Sequence, residues 1–224
     1  LAMVQKVEKY VRSKYASDRT LVGAMEQLRS VPLVDLFSRY PQLIQDIAGR
    51  RGRRVRAVEI LGGEFRVLPD RFEPLANALT HVARNMVDHG IESPAERELK
   101  GKPAAGEIRV ELTRDAGDVV IVFSDDGQGI SFAAVEERAR ERGLLDDGTS
   151  PSRADLLKLL FSSGFSTSED VSAVSGRGVG LNAVQRAVRA LGGRISVETR
   201  AGRGTTFRIT VPERAQARST RSES

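Results

Sequence analysis

Three motifs, in a fixed order along the chain, constrain its fold more than any other feature. HVARNMVDHG runs from His81 to Gly90, DDGQG from Asp125 to Gly129 and GRGVG from Gly176 to Gly180. The first reads as a helix that presents His81, Asn85 and His89 at i, i+4 and i+8, on one face. The second ends the apolar run Val119 to Phe123 in two carboxylates and a glycine turn. A carboxylate at the end of a central strand is costly unless something satisfies it. The third leads directly into a helix from Leu181 to Leu191, so its backbone N–H groups and the helix N-terminus make an anion site. Together they describe a pocket for a nucleotide: Asp125 accepts from an exocyclic amine, Asn85 offers a neutral oxygen to Mg²⁺, and the glycine loop holds phosphates. GRGVG lacks the Gly-Lys-Ser/Thr of a P-loop and does not follow the first strand of a βαβ unit, so neither of those folds is indicated.

The remaining chemistry is narrow. The chain has no cysteine, which excludes disulfides, thiolate metal sites and a cysteine nucleophile. His81 and His89 are its two histidines, and two helical turns separate them by roughly 12 Å, too far to share an ion. A zinc site is therefore not expected. No apolar run approaches the roughly 20 residues of a membrane span. Net charge is +5 from 35 basic and 30 acidic residues, with the densest cluster at Arg50, Arg51, Arg53 and Arg54. No aromatic residue interleaves those arginines for base stacking, so they read as a solvated turn and no nucleic-acid partner is expected.

Around the motifs, hydrophobic spacing predicts helices over 4–30, broken near Ala16-Ser17-Asp18, over 33–50, and from Pro74 to Asp88. Val55 to Leu68 reads as a hairpin about Gly62-Gly63. Two more hairpins are expected, one about Asp115-Ala116-Gly117 and one about Gly202 and Gly204. The fold class is α+β: a two-layer sandwich in which helices cover one face of a mixed or antiparallel sheet. Residues 1–30 form a helical segment, 31–212 the main domain and 213–224 a disordered tail. Residues 131–175, polar and rich in Ser, Thr and Gly toward their end, read as a lid beside the pocket.

These motifs resemble those of the GHKL ATPase superfamily, and most closely the catalytic domain of chemotaxis-type histidine kinases, the CheA family. HVARNMVDHGIESPAER followed by GKP resembles that family's N box, DDGQGI its G1 box, FSSGFSTS its F box, VSGRGVGLNAV its G2 box and GRGTTFRITVP its closing strand. RSVPLVDLFSRYPQLIQDIA resembles the linker and first helix of the same domain, and residues 1–30 the tail of its dimerisation hairpin. The resemblance implies a Bergerat-type ATP fold and a cytoplasmic protein-histidine kinase of a two-component or chemotaxis-like system, using ATP and Mg²⁺. It implies that Asn85 coordinates Mg²⁺ and that His81 and His89 lie near the phosphates, His81 standing where other superfamily members carry a Glu base. Arg84 and Asp88 would support that face, Asp125 would read adenine, and Gly127 and Gly129 would let it sit close. Phe161 and Phe165 belong to the lid, Gly176, Gly178 and Gly180 hold phosphates, and Thr206 assists the adenine. The implied partners are a histidine phosphotransfer domain in trans, since both histidines already belong to the nucleotide site, then a response regulator and a second copy through 1–30. The rival reading is a non-catalytic ATP-binding module that regulates a partner kinase.

Overall fold

The computed structural model describes residues 6–7, 10–11, 13–15, 18–146, 148, 150–162, 165 and 180–214. In chain order, helix α1 (Arg19–Arg29) precedes strand β1 (Val31–Pro32), a 3₁₀ turn (Leu33–Phe37) and α2 (Tyr40–Arg50). Strands β2 (Glu59–Gly62) and β3 (Arg66–Val67) lead to α3 (Pro69–Asn85), a π turn (Met86–Gly90) and α4 (Pro94–Leu99). Strands β4 (Ile108–Asp115) and β5 (Asp118–Asp125), helices α5 (Phe132–Glu141), α6 (Arg153–Leu159) and α7 (Leu181–Ala190), and strands β6 (Arg194–Arg200) and β7 (Gly204–Pro212) complete it. Among the described residues no helix is long and apolar enough to cross a membrane.

The main sheet has five strands in the order β2-β4-β5-β7-β6. Its β4–β5 and β6–β7 pairs are the expected hairpins. Ala116 and Gly117 both take positive φ (48° and 86°), the type I′ geometry whose twist matches the strands it joins. Val119, Ile121 and Phe123 alternate onto the helix-covered face and are fully buried. Phe123 meets Phe37 and Tyr40, with ring centroids 6.3 and 5.5 Å away, and the Tyr40 hydroxyl donates to the Ala76 carbonyl at 2.5 Å. One aromatic cluster thus ties α2 to both α3 and the sheet.

Two expectations need correction. Val55 to Leu68 is not a hairpin: β2 runs parallel to β4, with Glu59 opposite Arg109, while β3 pairs with β1 in a separate two-stranded sheet. The carbonyls of Gly63 and Phe65 accept from the Val34 and Leu33 N–H groups at 3.0 Å each, so the 3₁₀ turn takes the place of a returning strand. Helix α3 starts at Pro69 and accommodates Pro74 within it, the ring lying on the exposed side while Leu75, Ala76, Leu79 and Val82 face the core. The helix also stops short of Asp88.

Where the main domain begins and ends, arginines link the two ends. Arg66 donates to the Ser30 hydroxyl at 2.8 Å and to the Ser30 carbonyl. The Arg66 carbonyl accepts from Arg114 Nη2 at 3.4 Å, and the same nitrogen holds Glu213 Oε1 at 2.8 Å. Arg71 Nη2 reaches the Pro212 carbonyl at 2.8 Å. The tail expected over 213–224 lies outside the described residues beyond Arg214.

Candidate nucleotide site

Strand alternation puts Asp125 on the same face as Val119, Ile121 and Phe123, so the apolar run ends in a carboxylate aimed at the interior. Asp125 is 9% exposed. Both of its backbone hydrogen bonds land on one oxygen: Oδ1 accepts from Gly127 N–H at 2.9 Å and from Thr205 N–H at 3.3 Å. Burial outweighs these bonds and pushes the carboxyl up to about 6. Oδ2 takes no part in either bond, and Asp125 helps to form the wall of a cavity of about 380 Å³. Met86, Ile130, Val135, Leu160, Leu181 and Phe207 supply its apolar walls. Asn85, His89, Gln128, Ser131 and Thr205 supply polar groups, so the cavity pairs a flat-ring-sized apolar slot with a few oriented polar atoms.

The close approach at Gly127 needs glycine. A Cβ there would overlap the Gly90 carbonyl, so the Asp125–Gly129 turn rests directly on the end of the π turn. Gln128 fastens the same contact, its N–H to the Gly90 carbonyl at 2.9 Å and its side-chain amide to the His89 carbonyl at 2.7 Å. Gly204 (φ 97°) is as tightly placed, because a Cβ there would overlap the Asp125 carbonyl.

Helix α3 delivers Asn85 as its last residue. The π turn then widens the coil, and Ile91 N–H bonds to the Met86 carbonyl at 2.7 Å, five residues back. His89 therefore does not continue the α-helical face of His81 and Asn85, although it and Asn85 both line the cavity. His81, one turn before Asn85, is half-buried and outside the described cavity wall. Burial, then the Arg84 charge, hold its imidazole below the usual range, and desolvation does the same at His89. Both rings are thus neutral at pH 7. Arg84 and Asp88 point elsewhere: Arg84 borders a separate groove with Arg39, Leu43 and Ile47, and Asp88 is held by Arg51 at 2.9 Å.

The other expected residues divide three ways. Gly129 lines the cavity, and Gly180 caps α7, whose first residue Leu181 lines it too. Phe161 and Phe165 are buried in the main core beside Leu160, within the expected lid, of which 147, 149, 163–164 and 166–175 lie outside the described residues, as do Gly176 and Gly178. Thr206 is off by one position. It pairs with Ser124 and Glu198 and turns to the other face of the sheet, whereas Thr205 lines the cavity and donates to Asp125.

Sequence reasoning missed the support behind the Asp125 turn. Arg97, fully buried, donates to Glu92 at 3.1 Å, to Asp126 Oδ2 at 2.7 Å and to the Pro103 carbonyl at 2.7 Å. Lys102 joins the same group. A charged residue reads as surface in a sequence, and the one available signal was that Glu92, Arg97 and Lys102 fall inside the N-box stretch. For Mg²⁺, the described residues hold no cluster of three or more acidic or histidine ligands. One amide oxygen, Asn85, on the cavity wall fits an ion that keeps most of its coordination from phosphate oxygens and water.

The family model described as Histidine kinase-, DNA gyrase B-, and HSP90-like ATPase matches residues 75–215. The chemotaxis protein CheA of Treponema pallidum (strain Nichols) is 40% identical over 190 residues, covering 85% of this chain and 23% of that protein. The gliding motility regulatory protein of Myxococcus xanthus is 34% identical over 214 residues, 92% of this chain and 27% of that protein. The chain thus spans about a quarter of the length of these relatives. A solved histidine kinase domain, that of the Erythrobacter litoralis EL346 blue-light activated histidine kinase, aligns at 17% identity and a TM-score of 0.48, covering 95% of this chain and 87% of that one. The chain belongs to the histidine kinase-, DNA gyrase B- and HSP90-like ATPase family.

Proposed function

We propose that this domain binds ATP with Mg²⁺ and transfers the γ-phosphoryl group to a histidine on a separate phosphotransfer domain, which then supplies a response regulator in the cytoplasm. The observation that carries the reading is Asp125: a buried carboxylate on the wall of a largely apolar cavity, with Oδ1 used by two backbone N–H groups and Oδ2 left for a ligand. An adenine amine is a fitting partner for that oxygen, and the apolar walls suit the ring. Asn85 and His89 lie on the same cavity wall, where the phosphates would leave it. Bound Mg²⁺ supplies charge neutralisation on the phosphates, with Asn85 as the amide oxygen this chain offers it. The partner's imidazole nitrogen attacks phosphorus in line, the N–P bond forming as the bond to the β-phosphate oxygen breaks and ADP departs. Positioning supplies most of the rate in such a transfer. An acceptor in another domain or another protein is favoured because the two histidines of these residues are committed, His81 half-buried in α3 and His89 at the cavity.

The same reading assigns residues 1–30 to dimerisation. Val11 and Met25 are buried apart from the main core, while Tyr10, Tyr15 and Leu28 remain exposed on that segment. Light scattering at increasing concentration checks this, and a constant monomer mass counts against it.

Calorimetric titration with ATP and Mg²⁺, followed by transfer of labelled phosphate to a phosphotransfer domain, tests the main reading. Binding with transfer supports it. Binding with no transfer to any acceptor domain leaves the ATP-binding regulatory module, and no binding leaves a regulatory role through a partner alone.

A further inference from the structure

We infer that Lys102 is a positioning residue for the nucleotide site: it aligns, from behind, the two peptide groups that aim Asp125 and anchor the π turn. The inference rests on the ATP-binding reading above.

A peptide group is planar and trans, so its C=O and N–H point in opposite directions. Lys102 Nζ donates to the carbonyls of Asp126 and Gly127, at 2.8 Å each. The first of these peptide groups carries the Gly127 N–H, which bonds Asp125 Oδ1 at 2.9 Å on the opposite side. The second carries the Gln128 N–H, which bonds the Gly90 carbonyl at 2.9 Å. One ammonium therefore sits at the negative ends of two peptide dipoles whose positive ends hold the proposed adenine carboxylate and the π turn that carries His89 and follows Asn85. In a buried setting such chains of hydrogen bonds reinforce one another.

Lys102 is itself held in place. Its third contact is Glu92 Oε1 at 3.0 Å, and Glu92 is buried against Arg97, which clamps the Asp126 carboxylate. Asp126 Oδ1 accepts the Glu107 N–H at 2.9 Å. The charged and titratable groups around the turn are thus Asp126 within it, Lys102, Glu92, Arg97 and Lys100 behind it, Glu107 just before β4 and His89 on the π turn; β7 offers it the Thr205 N–H. Lys102 donates to two of the turn's own carbonyls at 2.8 Å each, while Arg97 Nη1 makes one longer contact, to the Asp126 carbonyl at 3.5 Å. It favours the ionised form of Asp125, against the burial and the Asp126 charge that favour the neutral one.

The test compares the wild-type chain, Lys102→Met and Lys102→Gln by calorimetric titration with ATP and Mg²⁺ between about pH 5.5 and about pH 8.5, with urea melts confirming that each is folded. Wild-type affinity falls away below about pH 6, where Asp125 takes up a proton. Lys102→Met binds about tenfold more weakly at neutral pH, the loss expected for hydrogen bonds from a charged donor, and its affinity falls away at a higher pH. Lys102→Gln, which keeps a donor but no charge, recovers part of the neutral-pH affinity and retains the raised fall-off. A packing role alone weakens binding equally at every pH. An unmoved fall-off in both variants, or in Lys102→Gln alone where Lys102→Met does not fold, overturns the inference. A wild-type chain that binds no ATP overturns the ATP-binding reading instead.

Discussion

Asp125 sets function against stability in a single side chain. Its folded pKa of about 6 lies above its ordinary 3.8, so the folded state binds the proton more tightly than the unfolded chain does. The stabilisation from that proton is complete below pH 3.8 and is lost as the pH rises through about 6. At neutral pH the ionised carboxylate is a cost on the order of 2–3 kcal/mol. Asp125→Asn keeps an acceptor for the Gly127 and Thr205 N–H groups and removes the charge. It is expected to melt no lower than the wild type at pH 8 and to bind ATP about 10- to 100-fold more weakly, measured by thermal denaturation and calorimetry side by side. A variant that binds within a factor of about two would sink the adenine assignment. Gly127→Ala has the opposite profile: its methyl meets the Gly90 carbonyl, so it loses both binding and about 1–3 kcal/mol in urea unfolding.

At the scale of elements, what could be read from the sequence and what could not have a common origin. The β4–β5 and β6–β7 hairpins were legible because their turns are local and carry their own residue chemistry, as at Ala116-Gly117. The parallel pairing of β2 with β4 was not, because it is set by an edge some fifty residues away (Glu59 opposite Arg109) and leaves no mark on Gly62-Gly63. The Asp125 turn was legible because a carboxylate closing an apolar strand is conspicuous. Thr205 and Thr206 were not separable, since only the strand register decides which of two identical side chains faces inward. The π turn was hidden because HVARNMVDHG keeps good helical spacing throughout. The register itself can be tested: Thr205→Val, which alters the cavity wall, is expected to change ATP affinity, whereas Thr206→Val leaves it within about twofold. Equal losses in the two would mean that the strand is misregistered.

At the scale of the whole molecule, the main core begins at Leu33 and is closed by β7, with Val211 its last buried member. None of the residues of α1 belongs to that core, and two polar links join the end of the helix and its cap to the domain, Arg29 to Asp70 and Ser30 to Arg66. A chain cut to residues 31–214 is therefore expected to fold and to bind ATP with the affinity of the full chain. Circular dichroism and calorimetry check this, and loss of cooperative unfolding would show that α1 belongs to the core after all.

The arginine path from Ser30 through Arg66 and Arg114 to Glu213 has a mechanical consequence. The domain is like a bead on a loop of thread, the two segments that flank it meeting at one knot. A tug carried along the flanking segments meets the knot first and swings the bead bodily, while the five-stranded sheet and the slot beside Asp125 travel unstretched. On the ATP-binding reading, a domain tied in this way moves as one body without remodelling the place where the nucleotide would sit.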